Sequence, residues 1–226
     1  YSFAMPETGI GFVPDIGGGY FFSRMPGEMG VYLGITGRSI GRADAYYTGA
    51  ATHCIAAADF DKIRHAMIES DPIDPVLDDL HRDPGEGELA PLQGIVDRIF
   101  SEPTVEAILA RLDETTGLHA DWARETAATI RRNAPLALKV ALRQIRGGKA
   151  FGSLKEALAV DFRLARAFLA APDFREGVRA RIIDKDHSPT WSPRTLEEVT
   201  DAMVDACFAC QGDGELDLKD RWTLVV

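Results

Sequence analysis

The stretch Met5-Pro6-Glu7-Thr8-Gly9-Ile10-Gly11-Phe12-Val13-Pro14-Asp15-Ile16-Gly17-Gly18-Gly19 constrains the fold more than any other part of the chain. Pro6, Gly9, Gly11 and Pro14 forbid a continuous helix, so the backbone must fold back on itself here. Residues 3–5 read as a short strand that runs straight into Glu7, and the returning loop carries a second carboxylate, Asp15. Paired carboxylates approaching one cavity from two directions can take different protonation states and divide general-base and binding work. The spacing alone also allows two solvated surface charges. Gly17-Gly18-Gly19 matches neither a dinucleotide fingerprint nor a P-loop, because Pro14 stands where a third glycine belongs and no Lys-Ser/Thr follows. It reads as a tight turn at the entry of a short helix.

The rest of the chain divides by composition. Residues 1–58 hold eleven of the 21 glycines and have α/β texture, with strand-like pieces at 3–5 and 51–55 and helices expected at 27–35 and 42–48. Residues 59–120 are acidic and helical, with segments expected at 60–69, 74–82, 92–100 and 103–114. Ser101 is the expected N-cap of the last of these, ahead of Pro103 in its first turn. Residues 121–210 form a second helical region. There Asp121 is expected to cap a helix over 122–133, and Pro135 to open one over 136–146 with Leu138, Ala141, Leu142 and Ile145 as its apolar stripe. Ser153-Leu-Lys-Glu156 is a capping box for a helix reaching about Ala171, with Leu158, Phe162, Ala165 and Leu169 at helical spacing. A helix is expected over 174–183, and Thr195-Leu-Glu-Glu198 reads as another capping box. Residues 211–226 look like a loose tail.

Charge and cysteine content exclude several functions. The chain has 226 residues with 25 Lys plus Arg against 35 Asp plus Glu, a net charge of -10. Such a balance offers no basic footprint for nucleic acid. No stretch approaches the roughly 18 consecutive apolar residues of a membrane span. Three cysteines are too few for a disulfide framework, which points to a reducing, cytoplasmic setting. Cys207-Phe-Ala-Cys210 has the spacing of half a zinc or redox site but lacks a second pair, so buried packing is the better reading and no metal is expected. The five histidines form no metal-binding array, and no Gly-x-Ser-x-Gly elbow is present.

The residues 3–21 and the segment from Leu33-Gly-Ile-Thr-Gly37 to Gly49-Ala-Ala-Thr-His-Cys-Ile55 resemble the crotonase (enoyl-CoA hydratase/isomerase) superfamily. Within it, Asp15 and the run Asp173-Phe-Arg-Glu-Gly-Val-Arg-Ala-Arg-Ile-Ile-Asp-Lys-Asp-His-Ser-Pro-Thr-Trp191 resemble the 3-hydroxyisobutyryl-CoA hydrolase branch, as does Ser153-Leu-Lys-Glu-Ala-Leu with Asp161-Phe-Arg-Leu. The resemblance implies an α/β fold: the C-terminal part of a crotonase-type ββα spiral core over residues 1–58, then helical regions. It implies a piece of a protein about 340–350 residues long, with the backbone donors of the oxyanion hole in the family's first half. It further implies an acyl-CoA substrate, coenzyme A entering only as part of that substrate with no separate cofactor, and a homo-oligomer, trimer or hexamer. By resemblance Glu7 is the main catalytic carboxylate, activating water or attacking the thioester carbonyl, and Asp15 holds the substrate's 3-hydroxyl. The implied reaction is hydrolysis of a short-chain 3-hydroxyacyl-CoA thioester in valine breakdown. Enoyl-CoA hydration or isomerisation on the same scaffold is the alternative, and a non-catalytic fragment the third reading. Lys185, with Lys149, is a candidate cation for the coenzyme A phosphates.

Overall fold

A computed structural model describes residues 1–210, 214–216 and 218. Its helices are α1 (Gly18–Phe22), α2 (Met29–Thr36), α3 (Arg42–Tyr47), α4 (Phe60–Ile68), α5 (Ile73–Leu80), α6 (Gln93–Phe100), α7 (Val105–Asp113), α8 (Ala120–Arg132), α9 (Pro135–Gly147), α10 (Leu154–Ala170), α11 (Pro172–Val178) and α12 (Asp201–Phe208). A single 3-10 turn, Glu7–Ile10, precedes them, and a π-helical segment, Arg179–Ile183, follows α11.

The core is built around α2, all of whose residues are buried. A helix apolar on every side can only exist surrounded by other elements, and α2 is covered by α1, α6, α8 and α9. Helix α9 begins where expected, because Pro135 at its first position has the helical φ preset and no N–H to lose. Its stripe Leu138, Ala141, Leu142 and Ile145 is buried as the spacing predicts. On the far side α8 and α7 pack together, with Ala123, Ala127, Ile130, Ile108 and Leu112 inside. Helix α5 buries no residue, and α4 buries only Ala66.

Several expectations are corrected. Among the described residues no regular strand forms: Phe3 makes an isolated antiparallel bridge with Ile40, and residues 51–55 are irregular. A strand needs a neighbour along its length to satisfy its backbone groups, and Phe3 finds one for a single residue only. Thr104, not Ser101, caps α7, its Oγ1 accepting from Ala107 N at 3.1 Å. Asp121 sits inside the first turn of α8 instead of capping it. The Ser153 box holds: its Oγ accepts from Glu156 N, while the Glu156 carboxylate reaches back to Gly152 N at 3.0 Å. The Thr195 box starts no helix. Glu198 folds back to accept from Arg194 N at 2.8 Å, closing a turn, and α12 starts later, capped by Thr200. The helix expected over 174–183 is regular only to Val178.

The stripe expected on α10 is only partly inward: Ala165 packs half-buried against the core and Leu158 is half-buried. Phe162 and Leu169 are 37% and 53% exposed, and the buried face is Ala157, Asp161, Leu164 and Phe168. Cys207 is buried with its thiol donating to Met203 O, and Cys210 is exposed. Most of the tail at 211–226 lies outside the described residues. No helix among the described residues is long and apolar enough to cross a membrane.

Candidate active site

Glu7 stands at the head of the 3-10 turn, held by a buried network. Thr8, fully buried, donates from Oγ1 to Ile35 O at 3.2 Å and accepts from Asn133 Nδ2 at 3.1 Å. The Asn133 amide also reaches Ile35 O at 3.0 Å, and Ala134 N donates to Thr8 O at 3.0 Å. The turn is thus tied to the end of α2 and to the junction of α8 and α9. Gly11 closes it at φ +70°, and a side chain there would meet the backbone of Asp173 at 2.5 Å. The residue type at 11 is therefore dictated twice, by the left-handed backbone and by the approach of α11.

This anchoring leaves the Glu7 carboxylate half-buried, and its Oε2 has no hydrogen-bond partner. Burial disfavours the ionised form and pushes the Glu7 pKa up to about 7, with the negative charge of Asp15 adding in the same direction. A carboxyl poised near neutrality, with one free oxygen, suits a general base or a nucleophile.

Asp15 lies on the loop between Pro14 and Gly17, whose chain reverses through Gly18 N donating to Asp15 O at 2.8 Å. The next residue, Ile16, is 78% exposed and has φ +48°. A β-branched side chain in the left-handed region costs on the order of 1–3 kcal/mol and persists only where the surroundings fix it. Gly17 follows at φ +91°. Two buried side chains from the C-terminal half hold this loop. Asp161 Oδ2 accepts from Gly17 N at 2.6 Å, and Gln144 Nε2 donates to Pro14 O at 2.7 Å. The same Gln144 Nε2 donates to Asp161 Oδ1 at 2.8 Å. Burial raises the Asp161 pKa, opposed by the hydrogen bonds from Gly17 and Gln144, and the charge of Asp15 raises it further. Asp15 therefore sits within electrostatic reach of both Glu7 and Asp161.

Glu7 and Asp15, eight residues apart across the turn, lie within electrostatic reach of each other. Lys185 is not joined to them: it is exposed, at φ +56°, beyond the π-helical segment, and no hydrogen bond or ion pair links it to either carboxylate among the described residues. Lys149 is also exposed. Sequence reasoning missed the hydrogen bonds of Gln144 and Asp161 to this loop, since a polar residue on a long helix reads as part of the solvent face. Asp173 is a further buried carboxylate, 1% exposed, with Oδ1 accepting from Ser192 N at 2.7 Å and Oδ2 unpartnered. Neither Glu7 nor Asp15 lines the cavity of about 780 Å³ beside His53, Cys54 and Phe60, or that of about 310 Å³ beside Arg38, Arg132 and Arg181.

A profile described as enoyl-CoA hydratase/isomerase matches residues 1–208. The chain belongs to the enoyl-CoA hydratase/isomerase family. This family member is 38% identical to the 3-hydroxyisobutyryl-CoA hydrolase, mitochondrial, of Bos taurus, covering 95% of this chain and 57% of the relative. It is 35% identical to the protein of that name from Xenopus tropicalis, covering 96% of this chain and 58% of the relative. The chain thus spans a little over half the length of the curated relatives it matches. A crystal structure described as a carnitinyl-CoA dehydratase from Mycobacterium thermoresistibile superposes with a TM-score of 0.86 at 36% identity, over 96% of this chain and 62% of that one. The architecture is accordingly that of the crotonase fold, here represented by its later core and C-terminal helices.

Proposed function

We propose that the protein containing this chain hydrolyses a short-chain 3-hydroxyacyl-CoA thioester, with 3-hydroxyisobutyryl-CoA as the preferred substrate. The observation that carries this reading is Glu7: a half-buried carboxylate with an unpartnered oxygen, its pKa near 7, within electrostatic reach of the second carboxylate Asp15. In this reading Glu7 takes a proton from water as the water oxygen attacks the thioester carbonyl, or attacks the carbonyl itself to form a mixed anhydride that water hydrolyses once coenzyme A has left. In both routes the coenzyme A thiolate leaves and is protonated. Asp15 accepts a hydrogen bond from the substrate's 3-hydroxyl, which selects against acyl groups that lack it. The relatives' printed names support this choice of substrate. Coenzyme A is part of that substrate, and the chemistry uses no separate cofactor.

The likeness to a structure described as a dehydratase favours a second reading, hydration of an enoyl-CoA on the same scaffold. One experiment separates the two. The protein made from its complete reading frame is incubated with 3-hydroxyisobutyryl-CoA while free thiol is followed, and with crotonyl-CoA while loss of the enoyl absorbance is followed. Thiol release that falls about 10²–10⁴-fold in Glu7→Gln is expected, the range a positioned general base contributes. Hydration without thiol release, or a Glu7→Gln variant as active as the parent, overturns the hydrolase reading.

A further inference from the structure

We propose that Asp161, together with Gln144, is a positioning residue that fixes the loop bearing Asp15 and thereby the protein's selection for a hydroxylated acyl group. This rests on the reading of Asp15 given above.

The loop needs an external hold. Ile16 at φ +48° occupies backbone space that β-branched residues avoid, and its side chain is 78% exposed, so little packing holds it there. The hold comes from helices more than a hundred residues away in sequence. Gln144 of α9 fastens the carbonyl before Asp15, at Pro14, and Asp161 of α10 fastens the amide two residues after it, at Gly17. The bond between Gln144 and Asp161 joins the two fastenings, so Asp15 is gripped on both sides by one rigid pair.

The chemistry at 161 requires a carboxylate. Gly17 N–H and Gln144 Nε2–H both point at it as donors, and each carboxylate oxygen accepts one. An asparagine would set an N–H against one of those donors. Turning the Gln144 amide over would lose its bond to Pro14. Gln144 already gives both its hydrogens to this arrangement and leaves Oε1 buried without a partner, the cost of orienting the amide toward the loop. A residue needed for packing alone would be apolar here, as Leu164 and Phe168 are on the same face.

The test uses the protein from its complete reading frame and two readouts. Steady-state rates are measured for 3-hydroxyisobutyryl-CoA and for isobutyryl-CoA, which lacks the hydroxyl, and amide hydrogen exchange is followed over residues 14–18. In Asp161→Asn and Gln144→Leu, the ratio of kcat/KM for the hydroxylated over the plain substrate is expected to fall about tenfold, a change of about 1.4 kcal/mol. The fall should come mainly through KM for the hydroxylated substrate, with kcat for isobutyryl-CoA nearly unchanged, and exchange at Gly17 should accelerate. Asp161→Glu, which keeps both acceptors, should retain more of the ratio than Asp161→Asn. Asp15→Ala sets the reference by removing the preference. If Asp15→Ala removes it while both clamp variants keep it, Asp161 and Gln144 are structural only and the proposal is overturned. Unchanged exchange at Gly17 in Asp161→Asn also overturns it. If Asp15→Ala itself keeps the preference, the hydroxyl reading of Asp15 fails, and this positioning role falls with it even where exchange accelerates.

Discussion

Helices α9 and α10 both pack against α1, and both turn one face to the core, but they fill that face differently. Helix α9 presents an apolar run, Leu138, Ala141, Leu142 and Ile145, with Gln144 at its edge. Helix α10 gives one of its four buried positions to a carboxylate, so that Ala157, Leu164 and Phe168 share the interior with Asp161. The polar residue of each helix meets the other, and the pair faces the loop around Asp15. The difference teaches that the interior of this chain is not uniformly a packing device. Where the helices meet the returning loop, apolar area is given up for hydrogen bonds that a specific backbone conformation requires.

The comparison breaks first at its apolar members. Phe168 is buried against Phe12, their ring centres 5.8 Å apart, and Phe168→Ala is expected to cost about 3–5 kcal/mol; Leu138→Ala in α9 should cost about 2–4 kcal/mol. Urea unfolding of each variant measures both. A loss below about 1 kcal/mol for Phe168→Ala would show that α10 does not dock on this face, and with it the placement of Asp161 would fall.

The same contrast explains what was legible in the sequence. The stripe of α9 could be read because its interior is apolar and its period unbroken from Leu138 to Ile145. On α10 the periodic apolar set Leu158, Phe162, Ala165 and Leu169 is real in sequence, but Phe162 and Leu169 lie exposed, since hydrophobic periodicity scores Asp161 as exterior and so rotates the helix. The fold-back of residues 6–17 was legible because glycine and proline act locally. Glu7 and Asp15 followed from it as neighbours, and their roles came from resemblance. The bridge Phe3–Ile40, the anchoring of Thr8 by Asn133, and the grip of Gln144 on Pro14 were not legible, because each joins residues far apart in sequence through a contact that no local pattern encodes.

Titration sharpens the contrast between apolar and carboxylate interiors. Glu7 is held at about 7 in the folded chain against its ordinary value of 4.5. Between those values the folded state keeps a proton that the unfolded state has released, so stability falls as pH rises through the window and is level above it. Allowing for the part of the side chain that solvent screens, the loss from pH 5 to pH 8 attributable to Glu7 is about 1–2 kcal/mol. Urea midpoints for the parent and Glu7→Gln at those two pH values check it: the variant should lose less stability on raising the pH. Asp161 and Asp173, also raised by burial, have the same sign but are present in both proteins and cancel in the difference. Glu176, drawn down to about 2 first by its hydrogen bonds to Arg179, gives up its contribution only in more acidic solution. An equal pH slope in parent and variant would mean that Glu7 is solvated, and the base reading would lose its support.

The smallest expected effect is the one that decides which face of α10 is which. Leu169 lies on the set that sequence periodicity assigns to the core, yet it is 53% exposed, so Leu169→Ala should change stability by no more than about 0.5 kcal/mol. Phe168, its neighbour in sequence, carries the large penalty, and the two variants differ by one step of 100° around the helix. Measured side by side by urea unfolding, they convert the rotation of α10 into a ratio that does not depend on the absolute stability of the protein. A Leu169→Ala loss matching that of Phe168→Ala would turn the apolar stripe back toward the interior. It would also move Asp161 off the buried face, and with it the donors from Gly17 and Gln144 that make a carboxylate necessary there.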